Sequence, residues 1–224
     1  MTPRPYLSYS SLNTLGDFSP KCIERWTEQY IYNKKFGTNR GMAFGKKMAE
    51  GLENEETTGD EVLDTVMTLI PKFETRDKIL EDDKGVEVDY YDQDKKETIK
   101  VKLPVLKNGK EVIPILIKPD TNKLDLTAFK EYKSSQTRWT KKQVDESVQI
   151  TFYAMGMYLK TGKIPYDIEL VEVETRTNTE GRIEATGQIY RHPTTRSMGQ
   201  ILNMMVRAKK AWSIINKICE EELL

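Results

Sequence analysis

Apolar residues recur every three or four positions in three stretches of this chain: Val62, Val66, Leu69 and Ile70; Val148, Phe152, Met155 and Leu159; and Ile201, Met204, Met205, Ala208, Trp212, Ile215 and Ile218. That spacing predicts amphipathic helices over Asp60–Phe73, from Thr140 to about Lys160, and over about Ser197–Glu222. Capping chemistry adds more. Ser8 or Ser10 can cap a short opening helix, and Ser19-Pro20 places a cap before a proline at the first helical position, predicting a helix through roughly Tyr32. Arg40–Glu53 reads as a further helix, and Thr140-x-x-Gln143 is a capping box. Strand-like runs lie between: Val86–Tyr91 and Ile99–Leu103 flank a polar Asp92–Glu97 turn as a hairpin. Val112–Ile117, Leu124–Lys133, Ile168–Thr175 and Arg182–Tyr190 follow. Helices, antiparallel strands, a helix, strands and a last helix imply an α/β fold, a mixed central β-sheet flanked by α-helices.

At 224 residues the chain is expected to form one domain, 1–224, with a helical part about 1–80, a core about 86–190 and a C-terminal helix about 197–222. A charged share of 31% against 38% hydrophobic argues for a globular chain and against disorder. No apolar run approaches the ~20 residues of a membrane span and no signal-peptide pattern opens the chain, so no membrane partner is expected. Cys22 and Cys219 are too few and too far apart for a zinc or iron–sulfur site, and a reducing cytoplasm is the simplest reading.

The 35 basic and 35 acidic residues cancel, but they are not mixed evenly. Acidic residues dominate 50–97, among them Glu53, Glu55, Glu56, Asp82 and Asp83. Lys130, Lys133, Arg138, Lys141 and Lys142 crowd one region, and Arg191, Arg196, Arg207, Lys209 and Lys210 occupy the C-terminal part. Such patches are either solvated faces or phosphate contacts.

The stretch that bears on chemistry is Pro119-Asp120, followed eleven residues on by Glu131-Tyr132-Lys133. Strand side chains alternate, so Glu131 and Lys133 share a face opposite Tyr132. If Val112–Ile117 and Leu124–Lys133 pair as neighbours, Asp120 comes beside Glu131. Two carboxylates that close repel unless a cation lies between them, which suits a hard divalent metal with an ammonium beside it. Gln149 and Tyr153, four apart, share one helix face. Each element alone has a plainer reading: a cross-strand charge pair for Glu131 and Lys133, turn chemistry for Asp120, core packing for Tyr153. Trp139 is expected to pack at the helix start. His192, the single histidine, precedes a proline and is expected in a loop.

Taken together, Asp120, Glu131-x-Lys133 and Gln149-x-x-x-Tyr153 resemble the PD-(D/E)xK nuclease superfamily, specifically its RecB-type exonuclease branch. Leu7-Ser8-Tyr9-Ser10-Ser11-Leu12 is similar to the branch's opening Ser-Tyr-Ser segment, and Phe44–Glu53 to its glycine–x–x–x–histidine…glutamate helix. The resemblance implies a restriction-endonuclease-like core and a Mg²⁺- or Mn²⁺-dependent deoxyribonuclease serving recombination, repair or phage DNA metabolism. Its partners would be DNA and a recombination or helicase protein. It implies Asp120, Glu131 and the Tyr132 carbonyl as metal ligands, Glu53 or Glu50 as a further one, and Lys133, Gln149 and Tyr153 as catalytic groups. Lys130, Arg138, Lys141 and Lys142 would contact DNA. The branch's metal-binding histidine falls at Ala49, which cannot ligate, and the four-cysteine set of iron–sulfur members is missing, so no cluster is expected. The alternative is a nuclease-derived DNA-binding or protein-interaction subunit without turnover.

Overall fold

The computed structural model describes residues 4–37, 39–54, 57–76, 78–92 and 95–222. Glu55 and Glu56 of the acidic stretch lie outside them. At the start, β1 (Leu7–Ser8) passes at once into α1 (Tyr9–Leu15), because extended Ser8 turns its hydroxyl back to accept from the Ser11 N–H at 3.3 Å. Pro20 opens α2 (Pro20–Tyr30), where its missing N–H costs nothing, although Ser19 contributes no side-chain cap. After α3 (Arg40–Asn54), Asp60 caps α4 (Glu61–Leu69) through the Leu63 N–H at 3.0 Å. This helix stops short of the expected Phe73, since a residue before proline is pushed out of the α region and Ile70 precedes Pro71. Its buried face is also rotated by one position: Leu63, Val66, Met67 and Ile70 are buried, whereas Val62 and Leu69 are exposed.

The strands form three sheets. β2 (Thr75–Arg76) is followed by β3 (Val86–Asp92) and β4 (Glu97–Leu103), which form the expected hairpin as a separate two-stranded sheet. Next come β5 (Val105–Asn108), β6 (Glu111–Leu116), β7 (Thr121–Asn122) and β8 (Ala128–Ser135). The break at α5 (Lys141–Asp145) before α6 (Val148–Thr161) divides the one helix expected there, with the Thr140–Gln143 capping box formed as read. The chain closes with β9 (Asp167–Thr177), β10 (Ile183–Thr194) and α7 (Met198–Glu222).

The main sheet has the order β10-β9-β8-β7-β2, with β8 and β9 parallel and the other neighbours antiparallel. A parallel pair needs a crossover, and α5 and α6 supply it. The 112–117 strand was expected beside 124–133. It lies instead in another sheet, parallel to β1 and antiparallel to β5. Helices cover both faces of the main sheet. One cluster gathers Phe129 and Leu170 with α6 and α7; the other packs Tyr132, Val171 and Val173 against α3 and α4. Held between the sheet and α7, α6 is buried from Ile150 to Met157, so the expected single stripe is a helix buried nearly all round.

Close passage of α6 over Ile117 requires Gly156. A Cβ there would stand 2.6 Å from Ile117 Cδ1 and 2.9 Å from its Cγ2, and Ile117 is fully buried. Alanine would gain about 1 kcal/mol of helix propensity but overpack the core by about 1–3 kcal/mol. Gly156→Ala is therefore expected to lower the melting temperature, by about 2–4 °C per kcal/mol of net loss, read by thermal unfolding.

Candidate active site

The site forms where β7 runs out. In that short strand Thr121 stands opposite Lys130 and Asn122 opposite Phe129. The residues expected to begin the next strand, 123–127, instead form a tight turn: the Lys123 N–H reaches the Ala128 carbonyl and the Leu126 N–H the Lys123 carbonyl, each at 3.0 Å. Leu126 adopts a left-handed φ of 59°, a cost of about 1–2 kcal/mol for an L-residue, offset by burial of its side chain. One step beyond the last paired residues, Asp120 stands across from Glu131. Asp120 takes over the edge that β7 leaves, its Oδ2 accepting the Tyr132 N–H at 2.5 Å.

Glu131 is 3% exposed. Its Oε1 accepts from the Lys133 ammonium at 2.7 Å and from the Gln149 amide, whose nitrogen also donates to the Tyr153 hydroxyl at 3.1 Å. Its Oε2 is buried with no hydrogen-bond partner among the described residues. An orphaned carboxylate oxygen is expensive to bury and calls for a positive partner. Burial pushes the Glu131 carboxyl above its ordinary value, although Lys133 and Gln149 pull the other way. Burial also pulls Lys133 down, but the charges of Glu131 and Asp120 outweigh it and hold the ammonium above the usual lysine value. Tyr153 is raised well above the usual phenol, first by burial and then by Glu131.

These groups open on a cavity of about 520 Å³ between β8 and α3, lined by Asp120, Glu131, Lys133 and, from the helix, Gly45, Met48 and Ala49. Gly45 lets α3 come this close, since a Cβ would stand 3.3 Å from Ser134 Oγ. Ala49 thus faces the carboxylates as its spacing implies. Neither substitute ligand joins them. Glu53 is paired with Lys118 at 3.2 Å and lines a different cavity, and Glu50 is an exposed partner of Lys46 on its own helix. Among the described residues no set of three or more His, Cys, Asp or Glu side chains is placed to hold a metal ion.

The basic residues separate by their surroundings. Lys130 is buried, 2.7 Å from Glu169 and 4.5 Å above the Phe73 ring, so it is no surface for DNA. Arg196 is buried as well, donating to Thr151 and Thr194 hydroxyls at 2.7 Å, and burial lowers it to about 10. Arg207 donates to the Gly16 carbonyl. Arg138, Lys141 and Lys142 remain exposed beyond the end of β8. Trp139 is half-buried beside the main core, as expected.

Three residues near the site escaped the sequence reading. Tyr9 packs its ring edge-on against Tyr153, centroids 6.5 Å apart. Glu172, fully buried, pairs in register with Lys133 and accepts the Trp139 N–H at 3.1 Å, fixing the chain as it leaves β8. His192 is no loop residue. It lies in β10 with Nε2 2.8 Å from Glu172. The available signal was Glu172 itself, a carboxylate inside an apolar strand run.

No family model matches the sequence, and no curated protein is similar to it. Among solved structures, a candidate exonuclease from Eubacterium rectale superposes with a TM-score of 0.55 at 11% identity, over 97% of this chain and 82% of that one. An alkaline exonuclease from Laribacter hongkongensis gives a TM-score of 0.46, also at 11% identity, covering 98% and 93%. The first likeness shows the fold: the mixed α/β core is one found in an exonuclease-type structure.

Proposed function

We propose that the chain is a divalent-metal-dependent deoxyribonuclease, acting as an exonuclease. The observation that carries this reading is the orphaned Glu131 oxygen beside Asp120 and Lys133 on the wall of an open cavity. The residues fit a hard cation. Mg²⁺ is usually held by one or two carboxylates plus water and substrate oxygens, so the pair Asp120 and Glu131 meets its needs without a third side chain. The Tyr132 carbonyl is the natural backbone ligand, because N–H and C=O of one strand residue face the same way and its N–H faces Asp120. A bound Mg²⁺ or Mn²⁺ supplies Lewis acidity toward a phosphoryl oxygen and a more acidic water.

The chain's own groups do the rest. Enzymes lower barriers of this kind by roughly 8–23 kcal/mol, whereas a lone general base gives about 10²–10⁴-fold. Lys133 is held as an ammonium by two carboxylates, which suits it to bind a phosphate oxygen and steady developing negative charge. Gln149 fixes the Glu131 carboxylate and is itself positioned by Tyr153. Arg138, Lys141 and Lys142 would hold the flanking backbone of the DNA.

A second reading rests on Ala49. With alanine facing the carboxylates, the site could retain DNA without cleaving it, as a binding subunit of a recombination or helicase assembly. One experiment separates the two. Saturating Mn²⁺ at about 100 times its Kd stabilises a one-site protein by about 2.7 kcal/mol, a rise of about 5–11 °C for a chain of this size. That shift together with digestion of linear DNA supports the nuclease. DNA binding without digestion under Mg²⁺ or Mn²⁺ supports the second reading.

A further inference from the structure

A second cavity, of about 540 Å³, lies between the β3–β4 hairpin and the N-terminal segment. Tyr90 and Tyr91 of β3 form one wall, Tyr6, Ser8 and Ser10 the other, and Arg4 stands with them. The Tyr6 and Tyr90 rings are tilted at 39° with centroids 6.1 Å apart. Tyr6 is core, but Tyr90 is half-buried and Tyr91 is 55% exposed, so these two present ring surface to a ligand. Ser8 and Ser10 hydroxyls stand 3.0 Å apart. The Ser8 hydroxyl is occupied as a helix cap, while Ser10 is exposed.

Charge narrows the occupant. Arg4 is matched by Asp89 in the same lining, so the cavity has no surplus to attract a phosphate. Rings and hydroxyls around a near-neutral space suit a flat, polar-edged, uncharged group. Position narrows it further. Tyr9, between the two serines, turns the other way and packs on Tyr153, whose hydroxyl is bonded to Gln149 at the catalytic carboxylate. The cavity therefore lies across three residues of backbone from the proposed reaction centre.

We infer that this cavity is a nucleobase subsite, in which an unpaired base of single-stranded DNA, flanking the bond to be cut, stacks on Tyr91 and Tyr90. The inference rests on the nuclease reading and names the form of its substrate. Stacking of one base on an aromatic side chain is worth about 1–3 kcal/mol and tolerates any base, so the subsite would select single strands without selecting sequence.

The test uses the full chain and fluorescein-labelled single-stranded oligonucleotides in EDTA, read by anisotropy. Tyr91→Ala is expected to weaken binding about tenfold, whereas Tyr91→Phe, which keeps the ring, stays within about twofold of wild type. A scan with a single abasic position should find one position that costs wild type about the same factor and costs Tyr91→Ala nothing further. Equal losses at every abasic position in wild type, or unchanged affinity in Tyr91→Ala, would overturn the subsite. If wild type still binds and digests DNA, the nuclease reading survives that outcome; if wild type neither binds nor digests DNA, both fall.

Discussion

Asp120→Asn is expected to leave the fold intact while lowering divalent-dependent digestion of linear DNA by about 10³-fold or more. The carboxylate has two separable jobs. It accepts the Tyr132 N–H, satisfying a backbone donor that β7 is too short to reach, and it brings negative charge to the cavity beside Glu131. Asparagine retains an acceptor for the N–H but not the charge. Asp120→Ala removes both, leaving an unpaired donor that costs about 1–3 kcal/mol, so it should lose activity equally and also melt lower by about 2–4 °C per kcal/mol. Digestion assays and thermal unfolding on the two variants check this. Retained activity in Asp120→Asn would remove Asp120 from the chemistry and leave it a structural cap.

Glu131→Gln should have the opposite effect on stability. In wild type without metal, burial raises the Glu131 carboxyl above its unfolded value. Such a group holds its proton more tightly when folded. Its contribution to stability is full below the ordinary carboxylate range, near pH 4.3, and is lost as pH rises through the folded value. Glutamine keeps an acceptor for Lys133 and Gln149 and carries no charge to bury. In EDTA, Glu131→Gln is expected to melt above wild type at pH 8, with a gap that closes toward pH 4. In Mn²⁺ the order should reverse, because wild type gains its several degrees and the variant gains less than about 1 °C. Digestion should fall as far as in Asp120→Asn. A variant that melts below wild type at both pH values and keeps the Mn²⁺ shift would show the carboxylate to be an ordinary ion-pair member.

Those two residues were legible in the sequence because their relation is local. A hairpin of eleven residues joins them, and strand alternation alone puts Glu131 and Lys133 on one face. The Thr140 capping box and the four-residue step from Gln149 to Tyr153 were equally local, and the structure places both residues at Glu131. What could not be read depends on partners far along the chain. Whether Lys130 is a surface cation or a buried one is decided by Glu169, thirty-nine residues away on a parallel strand. His192 looked like a loop residue beside a proline, yet β10 continues through Pro193 with Glu169 as its register partner. The 123–127 turn was misread because it uses leucine, not glycine, at its left-handed position. The helix boundary at Asp145 is marked by Ser147, which caps α6 through the Ile150 N–H, a signal overshadowed by the capping box just before it.

The brevity of β7 has a consequence for how this surface can be altered. Two residues of pairing leave the rim of β8 from Glu131 onward without a neighbouring strand on that side. Lengthening the 120–128 hairpin so that pairing continued would satisfy the Tyr132 amide from the backbone and release Asp120 from that duty. It would also lay main chain across the mouth of the cavity. An engineer seeking a sturdier scaffold would gain sheet there and close the entrance, so rigidity and access compete at this one edge.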